Sequence, residues 1–143
     1  MKKLYISLLF ISSVSTVVAQ QYWTPRDSYI CTPIQSTGFH YNKNEKKWKP
    51  TSFNVEGKKY LVKRVKDEGY RWSELGSDRV TFCENSMFTK KFGHISCKLF
   101  DGSLELQLSS LKFIETYNQG YIDGSTENTL TPNMTIGICA VLD

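Results

Sequence analysis

Four cysteines, two histidines and a run of lysines threaded with aromatic rings hold the chemistry this 143-residue sequence can offer. Cys31, Cys83, Cys97 and Cys139 lack any Cys-x-x-Cys spacing, and only His40 and His94 stand ready as nitrogen ligands, so no metal site is expected. An even cysteine count behind an export signal reads instead as a disulfide framework. Three pairings are open. Cys83–Cys97 with Cys31–Cys139 is favoured, because the first closes a local loop and the second ties the two ends of the domain.

Catalytic signatures are missing. The sequence has no G-x-S-x-G, no H-E-x-x-H, no P-loop and no Rossmann glycine pattern, so no cofactor is expected. His40 and His94 are the candidate general bases, but a base needs a positioned partner that the sequence does not name. Glu115 alternates with Phe113 and Tyr117, which turns it inward and raises its pKa, as a paired structural carboxylate. Glu105 alternates outward into solvent.

The best functional lead is electrostatic. Between Lys43 and Lys66 nine basic residues face only Glu45 and Glu56, a net of +7, whereas the chain from Asp67 onward carries -5. Trp48, Phe53 and Tyr60 are interleaved with these lysines. Lys43, Lys46, Lys47, Trp48, Lys49, Lys58 and Lys59 form the candidate binding set, suited to an anionic envelope component or a protein partner. The plainer alternative is a solvated hairpin tip whose aromatics fill a small β core. Nucleic acid is not expected as a partner, given export and a mature net charge of only +2.

The elements that must position these residues are strands. Alternation across Ile95–Phe100 and Leu104–Leu108, joined at Asp101-Gly102, predicts a hairpin with a two-residue type I′ turn. Its register would pair Leu99 with Leu104, Cys97 with Leu106 and Ile95 with Leu108, all facing inward. In Arg79–Cys83, Cys83 lies on the face opposite Val80 and Phe82, which predicts a bulge or a strand end. Further strands read out at Ser28–Cys31, Gly38–Tyr41, Lys46–Phe53, Lys59–Val65, Tyr70–Leu75, Leu111–Tyr117 and Thr135–Leu142. No window sustains helical periodicity for three turns, and Leu108–Tyr117 is the best contender for a short helical turn. The fold class expected is all-β: a single antiparallel meander, as a small sandwich or barrel, stapled by two disulfides.

The amino terminus reads as an export signal. Lys2 and Lys3 precede an apolar stretch, Leu4 to Ile11, and Val17-Val18-Ala19 offers a small-residue cleavage site. Residues 1–19 are thus a cleavable signal peptide and 20–143 a single β-rich domain of about 124 residues. No membrane span is expected after cleavage. Composition alone, with 22% charged residues and a mean hydropathy of -0.36, excludes a polytopic membrane protein and a disordered chain.

Cys31, Gly38-Phe39, Trp48, Phe53, Tyr60-Leu61-Val62, Phe82-Cys83, Cys97, Gly120-Tyr121, Thr131-Pro132 and Ile136-Gly137-x-Cys139 together resemble, in order and spacing, a group of small exported bacterial proteins of unknown function. The resemblance departs at Thr135, where an acidic residue is expected. It implies a periplasmic or secreted bacterial protein that keeps its cysteine framework, and it brings no catalytic residues with it. Three expectations follow. The first is a non-enzymatic exported binding protein acting through the basic-aromatic segment, one form of which inhibits an envelope hydrolase. The second is a small-ligand carrier, if the strands close around a cavity. The third is a small hydrolase built on His40 or His94.

Overall fold

The computed structural model describes residues 25–66, 68–84, 87–126 and 130–142. The signal peptide expected at 1–19 lies outside them. Nine antiparallel strands follow the chain: β1 (Ser28–Asn42), β2 (Lys47–Phe53), β3 (Tyr60–Val65), β4 (Gly69–Glu74), β5 (Val80–Cys83), β6 (His94–Leu99), β7 (Gly102–Gln107), β8 (Lys112–Tyr117) and β9 (Asn133–Leu142). The strands pair in the order β2-β1-β3-β4-β5-β6-β7-β8-β9, and β1 pairs again with β9. Eight strands therefore close into an up-and-down barrel, with β2 as an extra strand on the far half of β1. Of the two architectures expected, the barrel is the one formed.

Two expected strands, Ser28–Cys31 and Gly38–Tyr41, are one element. β1 runs unbroken past Pro33, because there β3 has ended at Cys31↔Tyr60 and β2 has not yet begun at Ser36↔Phe53. A proline costs no ladder bond on such an edge. A bulge between Pro33 and Gln35 then shifts the register against β9. Cys31 and Ser36 consequently both face inward despite their odd separation.

The barrel interior is filled rather than hollow. Tyr29, Val62, Ile95, Leu104, Leu106 and Phe113 are all buried, and Tyr60, Trp72 and Phe113 stack on one another with centroids 4.8–5.9 Å apart. Eight strands leave an interior about wide enough for side chains to fill. Gly137 makes room for this stack: a Cβ there would lie 2.3 Å from the Phe113 ring. Both favoured disulfides are present, Cys31–Cys139 and Cys83–Cys97, each joining directly opposed residues of neighbouring strands.

The β6–β7 hairpin keeps its inward face but not its expected register. Leu99 pairs with Gly102, Cys97 with Leu104 and Ile95 with Leu106, so the turn residues are Phe100 and Asp101. A slip of this size preserves the pleat, which is why the same side chains still point inward. Neither turn residue has a positive φ, so the turn is not type I′. Gly102 serves close approach instead, since a Cβ there would meet the Thr116 carbonyl oxygen at 1.8 Å. The helical turn also lies elsewhere. Leu108–Tyr117 gives β8 after a positive-φ Leu111, while a six-residue helix, α1 (Met87–Phe92), links β5 to β6. Its buried Thr89 donates to the carbonyls of Glu84 and His94, closing that end of the barrel.

Candidate functional site

The seven residues of the basic-aromatic set fall into two places. Lys43, Lys46, Lys47 and Lys49 surround the β1–β2 hairpin tip, where the Asn42 side chain accepts from the backbone N–H of Asn44 and Glu45. Glu45 pairs with Lys47 at 2.8 Å and also with Lys49, and these two ammonium groups hold its carboxyl below the ordinary range. Lys58 and Lys59 lie beyond the other end of β2, at least about 20 Å along the strand. The lysines thus do not form one patch. Lys47, Lys49 and Pro50 line β2, the strand at the open edge of the sheet, where charge and proline discourage pairing with another chain.

Trp48 is turned away from its neighbouring lysines. It packs edge-on against Tyr41 at 5.6 Å and against Tyr121 at 5.9 Å. The loop between β8 and β9 folds over this outer face, held to β1 by Phe39 N–H donating to the Pro132 carbonyl at 3.0 Å. Between loop and hairpin lies an apolar cleft of about 520 Å³, lined by Phe39, Trp48, Asn118, Tyr121, Ile122 and Pro132. Phe53 is only half-buried on β2, and Tyr60 belongs to the barrel core.

A larger cleft opens at the barrel mouth. The ladder between β5 and β6 consists of the single pair Cys83↔Cys97, and beyond it the two strands run on toward the mouth unpaired. Into this gap and over the barrel end opens a cleft of about 710 Å³. Its floor is Tyr60, Trp72 and Glu115; Val80 and Phe82 of β5, Leu99 of β6 and Phe100 of the β6–β7 turn line its flank, and Glu74, Arg79, Lys98 and Asp101 add charges of both signs to its lining. Cys83 is the last residue of β5, the strand end expected there. Val80 and Phe82 face outward from the wall, half-exposed, and Phe100 is 95% exposed. Arg71 sits over the Phe82 ring at 4.7 Å.

The alternation of β8 turns Glu115 inward, and the structure puts it in this floor. Tyr60 Oη donates to Glu115 Oε2 at 3.1 Å. Burial raises the Glu115 carboxyl above its ordinary value, with Glu74 adding to the effect, while the Tyr60 hydrogen bond and the Lys58 charge oppose it. The same burial and the adjacent carboxylate push the Tyr60 phenol well up, so it remains a donor. A carboxylate among aromatic rings at the base of an open cleft is an environment for an organic cation.

The two histidines stand on different strands, and His94 is held by an acid. His94 Nε2 lies 2.7 Å from Glu105 Oε2, and Ser96 Oγ donates to Glu105 Oε1 at 2.9 Å. Here the acid stands between serine and histidine, so the imidazole is not placed to take the hydroxyl proton, as nucleophilic catalysis requires. Glu105 faces outward as expected, but it is bonded rather than simply solvated. His40 pairs across the β1–β2 ladder with Lys49. Among the described residues no group of three His, Cys, Asp or Glu could hold a metal ion, and no helix is long and apolar enough to cross a membrane.

The mouth cleft escapes sequence reading because it depends on where a ladder stops. Its one legible signal is the inward position of Glu115. No family profile, no curated protein and no solved structure matches the chain.

Proposed function

We propose that the protein is an exported small-molecule-binding barrel that takes an amphipathic ligand in its mouth cleft. The ligand's cationic end sits against Glu115, and its apolar body lies along Val80, Phe82, Leu99 and Phe100. The observation that carries this reading is a cleft of about 710 Å³ whose aromatic floor holds the half-buried Glu115 carboxylate. That size lies within the range of small-molecule sites, and barrel mouths are a common place for them. Export is supported by the Lys2-Lys3 start, the apolar Leu4 to Ile11, and two disulfides of a kind that persists in oxidising compartments. A bacterial periplasmic or secreted location follows, and an intact mass beginning at Gln20 in the exported fraction would check it.

Calorimetric titration with octylammonium, octanol and octanoate tests the ligand reading. Octylammonium is expected to bind best, and Glu115→Gln to weaken it at least about tenfold, the loss expected of a desolvated charge contact. Absence of binding by all three overturns the proposal, as does equal binding by the Glu115→Gln variant.

A second reading rests on the Trp48 cleft. Three edge-packed rings, with the lysines of the β1–β2 hairpin tip close to Trp48 along the chain, suit an anionic envelope component or a protein partner carrying acidic and apolar groups. Charge reversal at Lys46, Lys47 and Lys49 should then release the protein from cell envelopes in a sedimentation assay. Unchanged retention removes this second reading.

A further inference from the structure

We propose that the outer face of β9, with the flanking outward residues of β1 and β8, is a homodimer interface covered in solution by the same face of a second copy. Antiparallel walls with one face in water alternate apolar inward and polar outward. The β6–β7 hairpin obeys this: its outward residues are His94, Ser96, Lys98, Ser103, Glu105 and Gln107, largely joined by hydrogen bonds. β9 does not. Thr135, Gly137 and Cys139 line the interior, and every outward position, Met134, Ile136, Ile138, Ala140 and Leu142, is apolar as well.

These outward side chains are bare. Ile138 is 50% exposed, Met134 and Ile136 are 45%, and Leu142 is 40%. The registers extend the surface sideways, setting Ile114 of β8 and Gln35 of β1 beside Ile136, Ile30 of β1 beside Ala140, and Thr32 of β1 and Lys112 of β8 beside Ile138. The bulge on β1 adds Ile34, 59% exposed. A strand whose outward residues are all apolar has the pattern of one covered on that side as well as on its inner side. The barrel supplies one of the two coverings.

Size and composition identify the other as a second copy. The exposed aliphatic surface is of the order of 500 Å², at the upper end of what monomers leave bare. With its Thr32 and Lys112 border it approaches the roughly 800 Å² per partner of a stable interface. The β9 row at its centre carries no charge, and Lys112 on the β8 flank is its one cation, which matches the more apolar interfaces of permanent homodimers rather than those of transient charged partners. A two-fold pairing of this face brings the aliphatic β9 row of one copy onto that of the other and leaves Lys112, with its long flexible stem, at the flank.

Sedimentation velocity of the oxidised protein across a wide concentration range tests the proposal. A dimer is expected, and Ile138→Glu should raise its dissociation constant by roughly tenfold or more. Thr32→Glu should do the same without touching an apolar residue, which keeps the test valid if Ile138→Glu fails to fold. Leu75→Glu, an equal insult at an exposed apolar site elsewhere, should leave the dimer intact. A monomer at every concentration overturns the proposal, and so does a dimer indifferent to both Thr32→Glu and Ile138→Glu. Flotation of the monomer with phosphatidylglycerol vesicles, abolished by Thr32→Glu, would also overturn it by giving the face to lipid.

Discussion

The two disulfides are chemically alike and mechanically different. Each joins directly opposed residues on neighbouring strands and faces the barrel interior. Cys31–Cys139 stands within a ladder running from Ser28↔Leu142 to Gly38↔Asn133, the seam that closes the barrel. Cys83–Cys97 is the single ladder pair of its seam; Glu84 N–H donates to the Ser96 carbonyl on one side of it, and toward the mouth β5 and β6 go on unpaired. One bond reinforces a wall that hydrogen bonds already make. The other marks where the wall ends and the cleft begins. The barrel thus concentrates stability along β1–β9 and keeps its opening along β5–β6.

The largest expected effect comes from the reinforced seam. Cys31 and Cys139 are 108 residues apart, so their bond restricts most of the unfolded chain. The loop-entropy relation assigns about 4.7 kcal/mol to a loop of that size. That is a large share of a typical stability of about 5–15 kcal/mol. Cys31→Ala with Cys139→Ala should therefore lower the denaturation midpoint sharply, as measured by urea titration. A loss under about 1 kcal/mol would mean the ten-pair ladder holds the seam alone.

Removing the Cys83–Cys97 bond should cost less overall and more locally. Its separation of 14 residues corresponds to about 3 kcal/mol. Because no further ladder pairs join β5 to β6, Cys83→Ala with Cys97→Ala should let amide hydrogens of Val80–Cys83 exchange before the global transition. Binding of octylammonium should weaken in native buffer. Uniform exchange through β5 and β1 would erase the contrast between the seams.

Gly102→Ala ranks next. With β5 not holding it, the β6–β7 turn is positioned at the mouth from its other side, where Gly102 pairs with Tyr117 and lies against the Thr116 carbonyl. A methyl there forces β7 away from β8, at a cost of about 1–3 kcal/mol typical of overpacking. Thermal melting measures it. A neutral substitution would show that the turn is not anchored through β8.

The same glycine shows how far sequence reading reaches. Alternation along β6 and β7 is enough to orient Ile95, Cys97, Leu104 and Leu106, because side-chain direction depends only on the pleat. Asp101-Gly102 looks like a type I′ turn because nothing local reveals the Thr116 carbonyl that requires a glycine. Ser28–Cys31 and Gly38–Tyr41 likewise read as two strands, since the continuity of β1 across Pro33 rests on its pairing with β9, a tertiary fact. The disulfide pairing was legible from loop lengths, and Glu115 from its alternation with Phe113. Val80 and Phe82 read as ordinary strand residues. Only the position of the last β5–β6 pair makes them the flank of a cleft. The lysines were visible as charge, but their pairing with Glu45 and their separation along β2 depend on the hairpin.

The smallest effect separates the open seam from the closed one by pH. Burial at the mouth raises the Glu115 carboxyl above 4.5, so the folded chain holds that proton more tightly than the unfolded chain does. The stabilisation that follows is complete below about 4.5, the unfolded value, and is lost as pH rises through the raised folded value. Glu115→Gln keeps an acceptor for the Tyr60 hydroxyl but cannot ionise. Its melting temperature should therefore gain on that of the parent chain as pH increases from 4.5 toward neutrality, while the two converge in acid. The interior of the β1–β9 seam holds no carboxylate, and its hydroxyl pair Thr135–Ser36 does not titrate, so Thr135→Val should shift melting by a similar amount across this acid-to-neutral range. Parallel pH curves for the parent and Glu115→Gln would place the carboxylate in ordinary solvent and erase the pH contrast between the mouth and the closed seam.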